Sequence, residues 1–110
     1  MPEEPGPVVG HAVSTASLVD VQSGAVVSRE VISKPQGTVS VFAFVEGEGL
    51  SEHTAPFDAL VQVLDGKAEL TIGGELVKAG AGETVLMPAN VPNSLHAPEP
   101  FKMLLTMIRG

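Results

Sequence analysis

The stretch Gly47-EGLSEHTAPFDALVQVLD-Gly66 decides the fold of this chain, and a second stretch, Gly82-ETVLM-Pro88-ANVPNSLH-Ala97, follows a related plan. Each opens on a glycine, which allows backbone conformations that other residues avoid. The apolar run from Leu60 to Leu64 stops at Asp65-Gly66, a pair typical of tight turns. Pro88 ends the second apolar run, because proline cannot donate a hydrogen bond to a sheet. This punctuation predicts short strands separated by turns.

The segments around these stretches also read as strands. Lys67 to Ile72 alternates polar and apolar residues, and Gly73-Gly74 predicts a two-residue hairpin turn of the primed type. Thr38 to Val45 becomes apolar on both faces in its second half, as in a strand between two packed sheets. Further strands are predicted at 25–32, 60–64, 75–79, 84–87 and 102–108. Since no segment has a sustained helical period, we predict an all-β fold of the double-sheet jelly-roll type.

The two stretches resemble the two motifs of the cupin family, G-x5-H-x-H-x3–4-E-x6-G and G-x5-P-x-G-x2-H-x3-N. The positions that match are Gly47, His53, Gly66, Gly82 and Pro88. The resemblance implies a small single-domain protein of the RmlC-like type, with a cupin double-stranded β-helix (jelly-roll barrel). It also implies a homodimer, because small cupins commonly dimerise through apolar sheet faces.

The family's metal-binding positions are altered in this chain. Its second histidine is Ala55, its glutamate is Ala59, and the histidine of its second motif is Asn93. By the resemblance, these three residues and His53 surround one cavity in the barrel. His53 is the one strong metal ligand among them, whereas a first-row metal needs three or four donors. We therefore predict no metal site and no cofactor, with at most weak binding of a divalent metal.

Two other donors lie near the altered positions in the sequence. Asp58 comes one residue before the glutamate position, and His96 comes three residues after the position of Asn93. Strand alternation turns both side chains away from the cavity, unless a bulge brings Asp58 inward.

His53 and Asn93 each have a functional and a structural interpretation. His53 is either a general base or hydrogen-bond donor in a pocket, or it bonds a neighbouring carbonyl or Asn93. Asn93 either binds a carboxylate or amide of a ligand, or satisfies His53. Ala55 and Ala59 remove volume and charge, and we expect a residual pocket that suits an apolar small molecule. The alternative is that neighbouring side chains fill this volume: Phe42, Phe44, Met87 or Met103.

Length and composition limit the other classes of function. The 110 residues fit one domain, and we predict a flexible lead over residues 1–10 and a single cupin domain over 11–110. A net charge of −7 argues against nucleic acid, whose phosphates need a basic surface, and against anionic membranes. The acidic, proline-rich N-terminus does not resemble a signal peptide, so we expect a cytoplasmic protein. No cysteine is present, which excludes thiolate chemistry.

The sequence thus favours a small cytoplasmic cupin, a homodimer that binds a small organic ligand in its barrel without a tightly bound metal. The ligand-binding residues would be His53, Ala55, Ala59 and Asn93. The alternative is an enzyme of the dioxygenase, isomerase or lyase type. Such an enzyme would use either a metal held by an unusual ligand set around His53, or His53 itself as the catalytic base.

Overall fold

The structure, a computed structural model, describes residues 8–109 of the chain. A single 3-10 turn, Thr15–Leu18, comes before nine strands. The strands are β1 (Val26–Lys34), β2 (Gly37–Phe44), β3 (Gly49–His53), β4 (Asp58–Asp65), β5 (Lys67–Ile72), β6 (Glu75–Gly80), β7 (Thr84–Met87), β8 (Asn93–His96) and β9 (Phe101–Ile108). Within the described residues, no helix is long and apolar enough to cross a membrane.

The strands form two antiparallel sheets. One sheet has the order β1-β2-β9-β4-β7, and the other has the order β3-β8-β5-β6. The C-terminal strand β9 lies between β2 and β4, so the last strand of the chain is the central strand of the larger sheet. Buried apolar residues from both sheets make one core between them. The prediction of an all-β jelly-roll barrel is confirmed.

Alternation along the strands determines which side chains enter the core. In β4, Ala59, Val61 and Val63 are buried and the residues between them are more exposed. The centre of the core is aromatic: the rings of Phe44 and Phe101 stack with centroids 4.5 Å apart and an interplanar angle of 9°. Both rings are essentially inaccessible to solvent, so this part of the barrel is tightly filled.

The glycines of the two stretches lie where the backbone must turn. Gly47 and Gly82 have φ angles of 87° and 88°, in the left-handed region that favours glycine. In the β5–β6 hairpin, Gly73 and Gly74 both have positive φ, which confirms the predicted primed turn.

Two strands are absent from the predictions based on alternation. They are β3 and β8, and they pair with each other in the smaller sheet. β8 has only four residues, and β3 ends in three exposed positions, Ser51 to His53. Their pairing is also irregular between Leu50 and His53. Such short, irregular strands lack the repeated alternation on which the prediction depends.

The outer side of β2 is covered from within the chain, which differs from the expected second sheet. Val41 and Ala43 are fully buried against Val19, with Leu18 and Leu104 packed beside them. The Lys102 ammonium fixes this N-terminal segment, because it donates a hydrogen bond of 2.8 Å to the carbonyl of residue 16. Most of the predicted lead, residues 1–7, lies outside the described residues, and residues 8–10 form an exposed turn.

Candidate functional site

The pairing of β3 with β8 brings His53 and Asn93 together. The two residues are direct partners in the ladder, at the end of β3 and the start of β8. Ala55 follows in the loop between β3 and β4, and Ala59 points inward from β4. All four residues line one small cavity at this end of the barrel.

The cavity has a volume of about 60 Å³ and an almost entirely apolar wall. Its lining residues are Leu50, His53, Ala55, Phe57, Ala59, Met87, Asn93, Leu95, Leu105 and Met107. Of the four side chains considered as fillers of this volume, only Met87 lines the cavity; Phe42, Phe44 and Met103 pack elsewhere in the barrel. The space is smaller than a typical drug-sized site of 300–1,000 Å³, so it suits a molecule of a few heavy atoms.

Asn93 lines this cavity and carries a buried acceptor without a partner. Its side chain is only 5% exposed. The amide nitrogen approaches the carbonyl of Val91 at 3.5 Å, which orients the nitrogen towards that acceptor and the oxygen away from it. The oxygen, Oδ1, is buried and has no hydrogen-bond partner. An unpaired buried acceptor of this kind costs about 1–3 kcal/mol of stability, so a hydrogen-bond donor that reached Oδ1 would stabilise the protein.

His53, the ladder partner of Asn93, lies at the solvent-exposed edge of the cavity. The residue is exposed, and its Nδ1 lies 3.1 Å from the carbonyl oxygen of Ser51. In the tautomer that carries the proton on Nδ1, the ring donates this hydrogen bond. The ring thus bonds a neighbouring carbonyl, while Asn93 does not supply its partner.

Two loops close the mouth of the cavity and are bonded to each other. The backbone N–H of Asn90 donates to the carbonyl of Ala55 at 2.7 Å. Asn90 stands where the cupin motif has glycine and has a φ of 64°, a conformation that asparagine tolerates better than most residues. The carboxylate of Asp58 accepts the N–H of Ala89 at 2.8 Å. The Asp58 carboxylate therefore holds the loop that contains Ala89. Asp58 pairs regularly with Ile108, so no bulge turns its side chain towards the cavity.

These residues do not fit the metal site of the cupin motifs. His96 is exposed and lies further along β8, away from the cavity lining. Within residues 8–109, no three side chains of histidine, cysteine, aspartate or glutamate come together as metal ligands would. The cavity offers one imidazole and one amide oxygen, short of the donor set that a first-row metal needs.

Two residues at the mouth of the cavity, Phe57 and Met107, were not among the predicted site residues. Phe57 forms part of the cavity wall, and the guanidinium of Arg109 lies over its ring, 5.4 Å from the centroid. Met107 forms another wall, because it pairs directly with Ala59 across β4 and β9. Strand parity could have identified Met107, whereas the Phe57–Arg109 contact joins distant loops and leaves no sequence signal.

A larger, open depression of about 410 Å³ lies at the other end of the smaller sheet. It is lined by charged side chains of both signs, including Lys67, Lys78, Glu83 and Glu99. One of these residues, Glu83, has a structural role, since its carboxylate accepts a hydrogen bond of 2.8 Å from the backbone N–H of Gly80. We therefore regard the smaller cavity, with its unsatisfied Asn93, as the candidate functional site.

Comparison with known proteins agrees with this architecture. A family model described as "Cupin domain" matches residues 40–108. A conserved protein of unknown function from Streptococcus pyogenes is 31% identical, with a TM-score of 0.88 over 91% of this chain and 88% of that one. A cupin 2 conserved barrel domain protein from Leptotrichia buccalis is 38% identical, with a TM-score of 0.83 over 86% of this chain but 46% of the other.

A cupin superfamily protein from Desulfitobacterium hafniense shares the fold, with a TM-score of 0.87 at 24% identity over 100% of this chain and 95% of that one. A search among proteins of curated function finds no match. The match to the family model and the likeness to the Streptococcus pyogenes protein show that the chain belongs to the cupin family.

Proposed function

We propose that this cupin binds a small, mostly apolar organic molecule inside its barrel, without a tightly bound metal. The observation that carries the proposal is an almost entirely apolar cavity lined by Asn93, whose buried Oδ1 has no hydrogen-bond partner. Apolar walls with one placed polar group are the usual composition of a small-molecule site. Because Oδ1 only accepts hydrogen bonds, the ligand carries a donor such as a hydroxyl or an N–H group.

A pair of isomeric probes tests this proposal. 1-Butanol and methyl propyl ether contain the same atoms, but only the alcohol can donate a hydrogen bond. In NMR titrations, we expect the alcohol to bind the native protein roughly 2- to 13-fold more tightly, the equivalent of about 0.5–1.5 kcal/mol. Asn93→Leu should remove the difference. Equal affinities for the two probes in the native protein would refute the role of Asn93.

Metal analysis tests the second part of the proposal. Protein purified without an affinity tag should contain no stoichiometric metal, since His53 and Asn93 supply too few donors. Restoring the family's ligands with Ala55→His, Ala59→Glu and Asn93→His together should create binding of divalent metals. If the native and restored proteins bind such metals equally well, the native chain has a metal site and the metal-dependent alternative is favoured.

We also propose that the chain is a homodimer, joined through the outer face of the larger sheet. Three large apolar side chains on this face are uncovered: Ile32, Leu86 and Ile108 are 49%, 55% and 62% exposed. Ile32 and Ile108 flank a shallow apolar groove of about 310 Å³. Apolar surface of this kind is typical of a protein interface. The cytoplasmic location and the lack of a nucleic-acid partner remain predictions from the sequence.

Light scattering tests the dimer. The native protein should have twice the monomer mass of 11.3 kDa at micromolar concentration. Ile108→Lys should shift it towards the monomer, because an ammonium group in an apolar interface is costly. Leu76→Lys is the matched control, since Leu76 is 59% exposed on the other sheet. A native mass of one chain would contradict the proposal.

A further inference from the structure

The cavity lining contains two polar side chains that are neighbours across the sheet. His53 and Asn93 are direct partners in the ladder between β3 and β8, and both residues line the cavity. The Cα atoms of directly paired residues lie about 4.5–5.5 Å apart, and their side chains share one face of the sheet. One small molecule in the cavity can therefore contact both side chains at once.

The hydrogen bond of His53 determines which ring nitrogen is available to a ligand. The Nδ1 atom lies 3.1 Å from the carbonyl oxygen of Ser51, and a carbonyl oxygen only accepts hydrogen bonds. In the neutral ring, Nδ1 therefore carries the proton, and Nε2 has a free lone pair. Within residues 8–109, the contact with Ser51 is the only hydrogen bond of the ring. Because the residue is exposed, Nε2 can accept a hydrogen bond from a ligand without the loss of any bond within the protein.

The two residues together offer acceptors and no free donor. Oδ1 of Asn93 is buried without a partner, and the amide nitrogen of the same residue approaches the carbonyl of Val91. In His53, the single N–H of the neutral ring bonds the carbonyl of Ser51. A ligand that bonds both residues therefore needs two hydrogen-bond donors, and these must lie close together because the residues are paired.

We propose that His53 binds the ligand together with Asn93, and that the ligand carries two hydrogen-bond donors on the same or neighbouring atoms, as in a primary amide or a vicinal diol. One donor bonds Oδ1 of Asn93, and the other bonds Nε2 of His53 at the exposed edge. The hydrocarbon part of the ligand lies against the apolar wall. The inference rests on the proposed function, because it concerns the same cavity.

Three small probes test the arrangement of donors in NMR titrations. 1,2-Butanediol has hydroxyls on neighbouring carbons, its isomer 1,4-butanediol has them at opposite ends, and 1-butanol has only one. With the native protein, we expect 1,2-butanediol to bind roughly 2- to 13-fold more tightly than either of the others, the gain expected from one additional hydrogen bond. Equal affinities for the two diols would show that the site does not need neighbouring donors.

Two histidine variants test the role of His53. His53→Phe keeps a planar ring without a nitrogen acceptor, so 1,2-butanediol and 1-butanol should bind this variant with equal affinity. His96→Phe is the matched control, since His96 is also exposed but lies outside the cavity lining. This control should keep the full advantage of 1,2-butanediol.

The nitrogen resonances of the His53 ring give a second readout. In long-range 1H–15N spectra of the ligand-free protein at a pH where the ring is neutral, we expect the proton on Nδ1 and none on Nε2. The Nε2 resonance should shift on addition of 1,2-butanediol and much less on addition of 1-butanol. A neutral ring with its proton on Nε2 would overturn the inference, because that nitrogen would then be unable to accept a hydrogen bond.

The outcomes distinguish this inference from the proposed function. If 1-butanol binds but 1,2-butanediol has no advantage, or if the advantage persists in His53→Phe, the role of His53 is refuted and the proposed function remains. If none of the three probes binds, both proposals fail.

Discussion

The two halves of this barrel differ in how completely side chains fill them. In the aromatic half, the rings of Phe44 and Phe101 stack with centroids 4.5 Å apart and are almost inaccessible to solvent. In the cavity half, Ala59 occupies an equivalent inward position, and about 60 Å³ remains open beside Asn93. The side chains at a few inward positions therefore decide whether each half of the barrel is filled. The cavity lies where this chain carries alanines in place of the family's metal ligands.

The largest expected effect lies in the aromatic half. Phe101→Ala should lower the free energy of unfolding by about 3–5 kcal/mol, because it removes a fully buried ring and leaves a cavity. Phe57→Ala at the mouth should cost much less, since Phe57 is half-exposed. Urea denaturation measures both values. Similar losses for the two substitutions would mean that the halves are packed alike.

Larger buried side chains should change the stability of the protein in opposite directions in the two halves. Ala97 is fully buried in filled core, so Ala97→Val should destabilise the protein by about 1–3 kcal/mol through overpacking. Ala59→Val should be neutral or stabilising, because the open cavity accepts the added methyl groups. Thermal denaturation of the two variants gives the comparison. A large loss of stability for Ala59→Val would show that the cavity is not available to added atoms.

Removing the unpaired acceptor should stabilise the cavity half. Asn93→Leu keeps the approximate shape of the side chain and eliminates the buried Oδ1, so the ligand-free protein should gain about 1–2 kcal/mol. Ser94→Ala, at the adjacent half-buried position of β8, controls for general effects on this strand. If Asn93→Leu loses stability in urea denaturation, Oδ1 has a partner within the protein.

The smallest effect concerns the contact between Arg109 and Phe57. Arg109→Ala should cost about 0.5–1 kcal/mol, the usual value of an exposed cation–π pair. Because Phe57 forms part of the cavity wall, the same substitution should also speed the exchange of bound 1-butanol in NMR line-shape measurements. Unchanged exchange would indicate that Phe57 does not control access.

The features that the sequence predicts correctly are those that depend on the backbone. The glycines predicted to form turns have positive φ, and the resemblance to the cupin motifs placed His53 and Asn93 near each other. The sequence did not reveal that the N-terminal segment covers Val41 and Ala43, because that contact joins distant parts of the chain.

The packing and hydrogen bonding of the site could not be predicted from the sequence either. The unpaired state of Oδ1 depends on the distance from Asn93 to the carbonyl of Val91. The volume of the cavity depends on the rotamers of Met87 and Met107 across paired strands. Neither feature can be predicted from residue spacing, because spacing specifies positions along the chain but not which side chains come into contact.

A crystal structure of the native protein soaked with 1-butanol would show directly whether Asn93 binds a ligand in the cavity. We expect density for the alcohol among Ala59, Met87 and Met107, with its hydroxyl oxygen about 2.7–3.0 Å from Oδ1 of Asn93. A cavity that holds only water after the soak, or a metal ion coordinated by His53, would contradict it.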